Sequence, residues 1–308
     1  MKRTVSRERF VPGMRIGDYR IERELGVEET SVVYLGLHAV LPRQAAVKVL
    51  HALPLEVAAA AAAGTADQGM LLSESERAVA LRVLREACLL EALSHPGIPR
   101  VFECGILPDR RPWAAFERID GPTLASLIAG GPLAIADVVP ILRDAGDLLA
   151  HAHGRGAVHR RLTATAIVRA PDRGCSVGVR DWGDARMPDR EAQLAEDTWE
   201  DVRALGAVVF HALTGRAPEP AVSIAERCPA APAELAALVD QMLADDPTER
   251  PPSDEVRDRA RWLADTFEPR MSDRLRWAPS VGPTHESLPR SGPDDASGLA
   301  GRPRRTRS

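Results

Sequence analysis

Val158-His159-Arg160-Arg161-Leu162-Thr163-Ala164-Thr165-Ala166-Ile167-Val168, followed by Asp181-Trp182-Gly183, is the stretch whose reading decides the fold of this chain. Short apolar runs flank the polar first piece, and Val177-Gly178-Val179 precedes the second. This pattern predicts a loop that leaves a helix and feeds a tight strand pair. The helix before it is expected over Ala136–His153, with Val139, Leu142, Leu149 and His153 on one face. After it the chain stays helical, over Asp201–Leu213 (closed by Gly215), Ala233–Leu243 and Ser253–Phe267. Thr198, three residues before Asp201, reads as a helix N-cap.

The N-terminal side is built differently. Tyr19–Leu25, Ser31–Leu37 and Ala45–Leu50 are rich in β-branched and apolar residues and are punctuated by Gly26, Gly36 and Pro42-Arg43. Three consecutive strands before any helix predict an antiparallel meander. Residues 51–72 carry the run Ala58 to Ala63 with no polar and apolar faces, so they read as a surface insertion. Ser73-Glu74-Ser75-Glu76 is a capping box that opens a helix to about Leu93, with a buried stripe of Val79, Val83, Leu84, Ala87, Leu90 and Leu93. Glu86 lies inside that stripe, and a carboxylate on an apolar face needs a partner. Lys48 is the expected one. A hairpin of Val101–Ile106 and Trp113–Ile119 and a linker, Asp120-Gly121-Pro122, complete this half. The fold class is α+β, with a β-rich lobe over 18–119 and a helical lobe over 120–268, and ligands commonly sit between such lobes. Residues 1–17 read as a flexible arm. Residues 269–308, rich in Pro, Ser, Gly and Asp and ending in an arginine cluster, read as a disordered, solvated tail.

A net charge of −4 and a pI of about 6.1 give no global argument for nucleic acid or an anionic membrane. No apolar run follows Met1-Lys2-Arg3-Thr4, and none approaches the length of a membrane span, so a cytoplasmic protein is expected. Cys88, Cys104, Cys175 and Cys228 show no C-x-x-C spacing and read as reduced thiols. Lys2 and Lys48 are the only lysines among 40 basic residues, which marks Lys48 as a position where a compact ammonium is wanted.

From Tyr19 to Phe267 the chain resembles the bacterial, eukaryotic-like (Hanks-type) serine/threonine protein kinases, whose catalytic and metal-binding loops read H-R-D-x-x-x-x-N and D-F-G. Leu25-Gly26 and Val33-Tyr34 frame the Gly-rich loop, Ala46-Val47-Lys48 matches the strand-three lysine, and Arg85-Glu86-Ala87 matches the helix glutamate. Phe116 falls at the gatekeeper and Glu117 at the hinge. Asp201-Val202-Arg203-Ala204-Leu205-Gly206 resembles the buried-Asp helix, and Asp246 to Pro251 the terminal arginine motif. The resemblance implies a bilobal kinase-like fold with ATP and Mg²⁺ in the cleft. Gly26, Val33, Ala46, Lys48, Glu86 and Glu117 would line the nucleotide site, and Asp181 would hold the metal.

The same alignment shows what is missing. The second and third glycines of the phosphate loop are Glu28 and Ser31, with Glu29 adjacent, and two carboxylates beside a triphosphate repel it. In the catalytic loop His159 and Arg160 are kept. The general base has become Arg161, which does not deprotonate near neutral pH. The phosphate-side lysine has become Thr163, and the second metal ligand Ala166, which has no donor atom. Only 17 residues separate Gly183 from Asp201, without the A-P-E motif. Arg250 must therefore find another carboxylate, Glu191 or Glu196, and Arg160 has no evident phosphate to read. Two functions follow from these residues. One is a pseudokinase, a signalling or regulatory module with weak or no ATP binding and a protein partner such as an active kinase or signalling complex. The alternative is an atypical one-metal serine/threonine phosphotransferase that uses Lys48, Glu86 and Asp181.

Overall fold

In a computed structural model, residues 9–28, 30–50, 74–109, 111–173, 175–188 and 191–271 are described. The expected insertion at 51–72, Glu29, and the tail from residue 272 lie outside them, as do the side chains of residues 74–81, Val79 of the stripe included.

Six strands form one antiparallel sheet in the order β1-β2-β3-β4-β6-β5: β1 Arg15–Ile16, β2 Tyr19–Val27, β3 Ser31–His38, β4 Gln44–Leu50, β5 Val101–Ile106 and β6 Pro112–Glu117. Because side chains alternate along a strand, β4 sends Ala45, Val47 and Val49 to one face, where they pack with Tyr19, Ile21, Tyr34 and Trp113. Ala46 and Lys48 go to the other face, opposite Phe116 and Ala114 of β6. That face looks toward α1 (Glu74–Leu93), whose Val83, Ala87, Leu90 and Leu93 are buried and whose Leu84 is half-buried.

The arm expected to be loose through residue 17 lies along the sheet from Arg9 onward. Phe10 meets Tyr34 edge-on at 5.8 Å between ring centroids, the Arg111 guanidinium covers Phe10 at 5.1 Å, and Arg9 pairs with Glu24. One aromatic anchor over the outer face is enough to hold a short polar segment.

Gly121 joins the lobes at φ +140°, and a Cβ there would lie 2.0 Å from the Arg169 carbonyl oxygen, so this crossing requires glycine. Beyond it come α2 (Leu124–Ile128, capped by Thr123), α3 (Ile135–His153) and the strand pair β7 Ile167–Arg169 and β8 Val177–Val179. Then follow α4 (Glu191–Thr214), α5 (Ile224–Arg227), α6 (Ala233–Met242) and α7 (Ser253–Met271). α4 begins well before the expected Asp201. Thr198 is consequently not an N-cap but an interior residue whose hydroxyl donates to the Ala195 carbonyl. The segment from Glu191 to Glu200 holds no Gly or Pro and several good helix formers, so nothing stops the helix from extending backward. Among the described residues no helix is long and apolar enough to cross a membrane.

Asp201 of α4 is 1% exposed and organises the centre of the helical lobe. Its carboxylate accepts from the backbone N–H groups of His159 and Arg160, each at 2.7 Å, and from His153 Nε2 at 3.0 Å. His153 Nδ1 in turn meets the Ser253 hydroxyl at 2.9 Å, which ties α3, α4 and α7 to the loop. Arg160 sits at φ +68°, a left-handed conformation that the two carboxylate bonds stabilise. Asp201→Ala leaves three buried donors without their acceptor and is expected to cost about 3–5 kcal/mol. Urea unfolding of the whole chain measures this directly; a loss below about 1 kcal/mol would refute the central role.

Candidate functional site

The pleat of β4 and the helical spacing of α1 bring Lys48 Nζ to 2.7 Å from Glu86 Oε2, with both residues buried. The expected pair is formed. A second carboxylate shares the ammonium: Glu28 Oε2 is 2.8 Å from Lys48 Nζ. The turn that carries Glu28 is closed on itself, because Glu28 N–H donates to the Ser31 carbonyl at 2.8 Å and the Ser31 hydroxyl donates to Glu28 Oε2 at 2.7 Å. Glu28 was expected only to repel phosphate; it takes the lysine itself. The Lys48 ammonium is shifted upward because Glu86 and Glu28 together outweigh the burial that opposes them. Burial, helped by Glu28 and Asp181, pushes the Glu86 carboxyl up against the pull of Lys48. The 2.7 and 2.8 Å contacts fix the state that matters, an ammonium that stays protonated and for which two carboxylates compete.

A cleft of about 380 Å³ lies between the lobes. Gly26, Val33, Ala46, Lys48, Glu86, Glu117 and Asp181 all line it, together with Phe116, Leu90 and Trp182. Glu117 reaches it only in part, because its carboxylate is turned onto Arg173, at 2.5 and 2.9 Å. Asp181 stands at φ +67° in the cleft, its carboxyl pushed up by burial and by Glu28 against the opposing charges of Arg180 and Lys48. Trp182 is fully buried and edge-on to His159, at 4.7 Å between centroids. His159 Nε2 donates to the Arg180 carbonyl at 3.0 Å, and burial pulls the imidazole below its ordinary value. Gly183 backs directly onto the ion pair: a Cβ there would sit 3.0 Å from Lys48 Nζ.

Arg161, at the place of the general base, points its guanidinium at Asp184 Oδ2, 2.7 Å away. Arg82 of α1 pairs with the other oxygen of Asp184 and donates from Nε to the Gly183 carbonyl at 2.8 Å. Arg82 lies one turn before Glu86, so one helix face delivers both groups. This clamp was missed in the sequence, where only that i, i+4 spacing hinted at it. Thr163 is engaged with Thr165 at 2.8 Å, and Ala166 is fully buried, its carbonyl accepting from the Arg180 N–H. Asp197 supplies the anion that Arg160 faces, at 3.8 Å, and is held more closely by Arg186 at 2.6 Å. Arg250 pairs with Glu200 at 2.8 Å, not with the expected Glu196. Helical rise places Glu196 about 6 Å, and the backbone of Glu191 about 14 Å, further along α4.

These residues fit Mg²⁺-bound ATP poorly. Lys48 is already shared by two carboxylates, Asp181 is the one matched metal ligand that keeps its carboxylate, and Ala166 offers no donor. Among the described residues no cluster of three His, Cys, Asp or Glu could hold a metal ion.

No family model matches the chain. It is 32% identical to the serine/threonine-protein kinase Pkn1 of Myxococcus xanthus over 229 residues, which cover 67% of this chain and 30% of that protein. It is 27% identical to the serine/threonine-protein kinase pkn2 of the same organism, over 92% of this chain and 36% of that protein. The chain thus spans about a third of the length of these curated relatives. Among solved structures, the kinase domain of Mycobacterium tuberculosis PknI superposes with a TM-score of 0.60 and 25% identity over 83% of this chain and 100% of that one. An apo form designated PpkA-294 gives 0.64 and 22%, over 82% and 99%. The fold is that of a protein kinase domain, and the chain is a homologue of the bacterial Hanks-type serine/threonine kinases.

Burial alone would raise the Asp184 carboxyl, but the hydrogen bond from Arg161 and the charge of Arg82 outweigh it and hold it below its ordinary value of 3.8. A depressed folded-state value means that the clamp stabilises the fold above about pH 3.8 and that this contribution is lost as pH falls through the folded value. Asp184→Asn is expected to lower stability by about 1 kcal/mol at pH 7, with the difference from wild type shrinking as pH falls below 3.8. Urea midpoints at pH 7 and through the acid range check this, and a difference independent of pH would contradict it.

Proposed function

We propose that this chain is a pseudokinase: a kinase-fold regulatory module that binds a protein partner of a signalling complex, such as an active kinase, and transfers no phosphate. One observation carries the reading. The position of the general base holds Arg161, whose guanidinium is bound to Asp184 and does not deprotonate near neutral pH, so this side chain cannot accept a hydroxyl proton. The buried Ala166 removes a metal ligand as well.

What remains serves to hold a shape. Lys48–Glu86 ties α1 to the sheet, Arg82–Asp184–Arg161 draws α1 against the helical lobe, and Asp197 gives Arg160 and Arg186 an anion from within the chain. A kinase of this fold uses the same lysine–glutamate pairing when switched on by phosphorylation. Here it is formed by side chains alone, as suits a module that presents one fixed surface to a partner. The intact Lys48–Glu86 pair with Asp181 in the cleft is also the observation that favours the second reading, a slow one-metal phosphotransferase.

Incubation of the purified chain with Mg·ATP and a general protein substrate is expected to give no phosphate incorporation above that of the Lys48→Ala and Asp181→Ala variants. Incorporation that both substitutions abolish would overturn the proposal and establish the second reading.

A further inference from the structure

The disagreement between this cleft and a nucleoside triphosphate has a definite local cause. The inner end, where phosphates would meet Lys48, holds three carboxylates, Glu28, Glu86 and Asp181, around one ammonium. Glu28 leaves 38% of its side chain exposed but is tethered. Its backbone and its carboxylate are both bonded to Ser31, a residue with no exposed surface, and its Oε2 lies on Lys48. The two guanidiniums at the mouth are engaged too, Arg118 with Asp120 at 2.7 Å and Arg180 with the Thr165 carbonyl at 3.2 Å. The rest of the lining is different. Leu25, Val33, Ala46, Leu90 and Phe116 give the cleft apolar walls, in a volume suited to a small planar ligand.

We infer that this cleft selects an uncharged planar heterocycle of adenosine size over a nucleoside triphosphate, and that Glu28 sets this preference. The carboxylate occupies the lysine that a phosphate would need and places like charge where the phosphate would lie. A ligand that ends at its sugar hydroxyls escapes that repulsion. Specificity of this kind rests on a repulsive element as much as an attractive one. The inference deepens the reading of the chain as a non-transferring module, and it concerns what the cleft holds, not whether phosphate moves.

Titration calorimetry of the whole chain with adenosine, with ATP and with Mg·ATP, on wild type, Glu28→Gln and Glu28→Gly, tests it. Wild type is expected to bind adenosine at least tenfold more tightly than either form of ATP. Glu28→Gln, which keeps the shape and removes the charge, should raise ATP affinity about tenfold and leave adenosine within about threefold. Glu28→Gly should raise ATP affinity further. ATP binding as tight as adenosine in wild type would overturn the inference, as would a preference unmoved by either substitution or binding of neither ligand. Should the variants fail to fold, the wild-type ratio alone decides. None of these results alters the phosphate-incorporation assay, so failure here and failure of the pseudokinase reading are told apart.

Discussion

The buried ammonium of Lys48 is the constraint that the two lobes are assembled around. An isolated ammonium in an apolar interior is prohibitively unfavourable, so β4 can bury it only if a carboxylate is delivered to the same point. α1 delivers one by placing Glu86 between Val83 and Leu90 on its buried face, and that requirement fixes the rotation of the helix and its distance from the sheet. The glycine at 183 follows from the same pair, since any side chain there would press on Lys48 Nζ. So does the choice of lysine in a chain that otherwise uses arginine: a compact ammonium meets two carboxylates and a backbone, where a planar guanidinium would need more room.

A second layer of charge pairs repeats this logic around the loop. Asp184 is shared by Arg82 and Arg161, Asp197 by Arg186 and Arg160, and Asp201 by two backbone N–H groups and an imidazole. Each carboxylate joins elements distant in sequence, and each pairing constrains the next. Asp201 sets the left-handed turn at Arg160, that turn aims Arg160 and Arg161 in their two directions, and Arg161 meets the anion that also holds α1. Individually the exposed members of this set contribute little. Their joint effect is to make the turn, the helix and the lobe contact one cooperative unit.

Much of this was legible in the chain because periodicity is a strong signal. The stripe in α1 put Glu86 on a buried face where a carboxylate needs a cation, and Lys48, one of two lysines in the chain, was its expected partner. What escaped is what depends on backbone closure or on helix ends. That Glu28 turns inward depends on the tight return to Ser31, which composition does not encode. The partner of Arg250 was misplaced because α4 begins ten residues early, and a shift along a helix axis changes which carboxylate faces a given point. The ordered arm was missed because a single anchor, Phe10, leaves no periodic trace.

The substitutions also agree with one another in electrostatic terms. A site built to receive a charged ligand keeps groups in reserve, such as an ammonium awaiting phosphate or a carboxylate awaiting a proton. In this chain those groups are already satisfied: Lys48 by Glu28, Asp184 by Arg161, and Arg160 in part by Asp197. Replacing the base by arginine reverses the charge at that point, and an unopposed guanidinium there would repel Arg82; Asp184 lies between them and resolves the conflict. Asp181 is the exception. Its carboxyl lines the cleft and is raised by burial, with Glu28 nearby, so its charged form is disfavoured. A group that can donate a hydrogen bond to Asp181 relieves it and an anion aggravates it. Asp181 therefore discriminates in the same direction as Glu28.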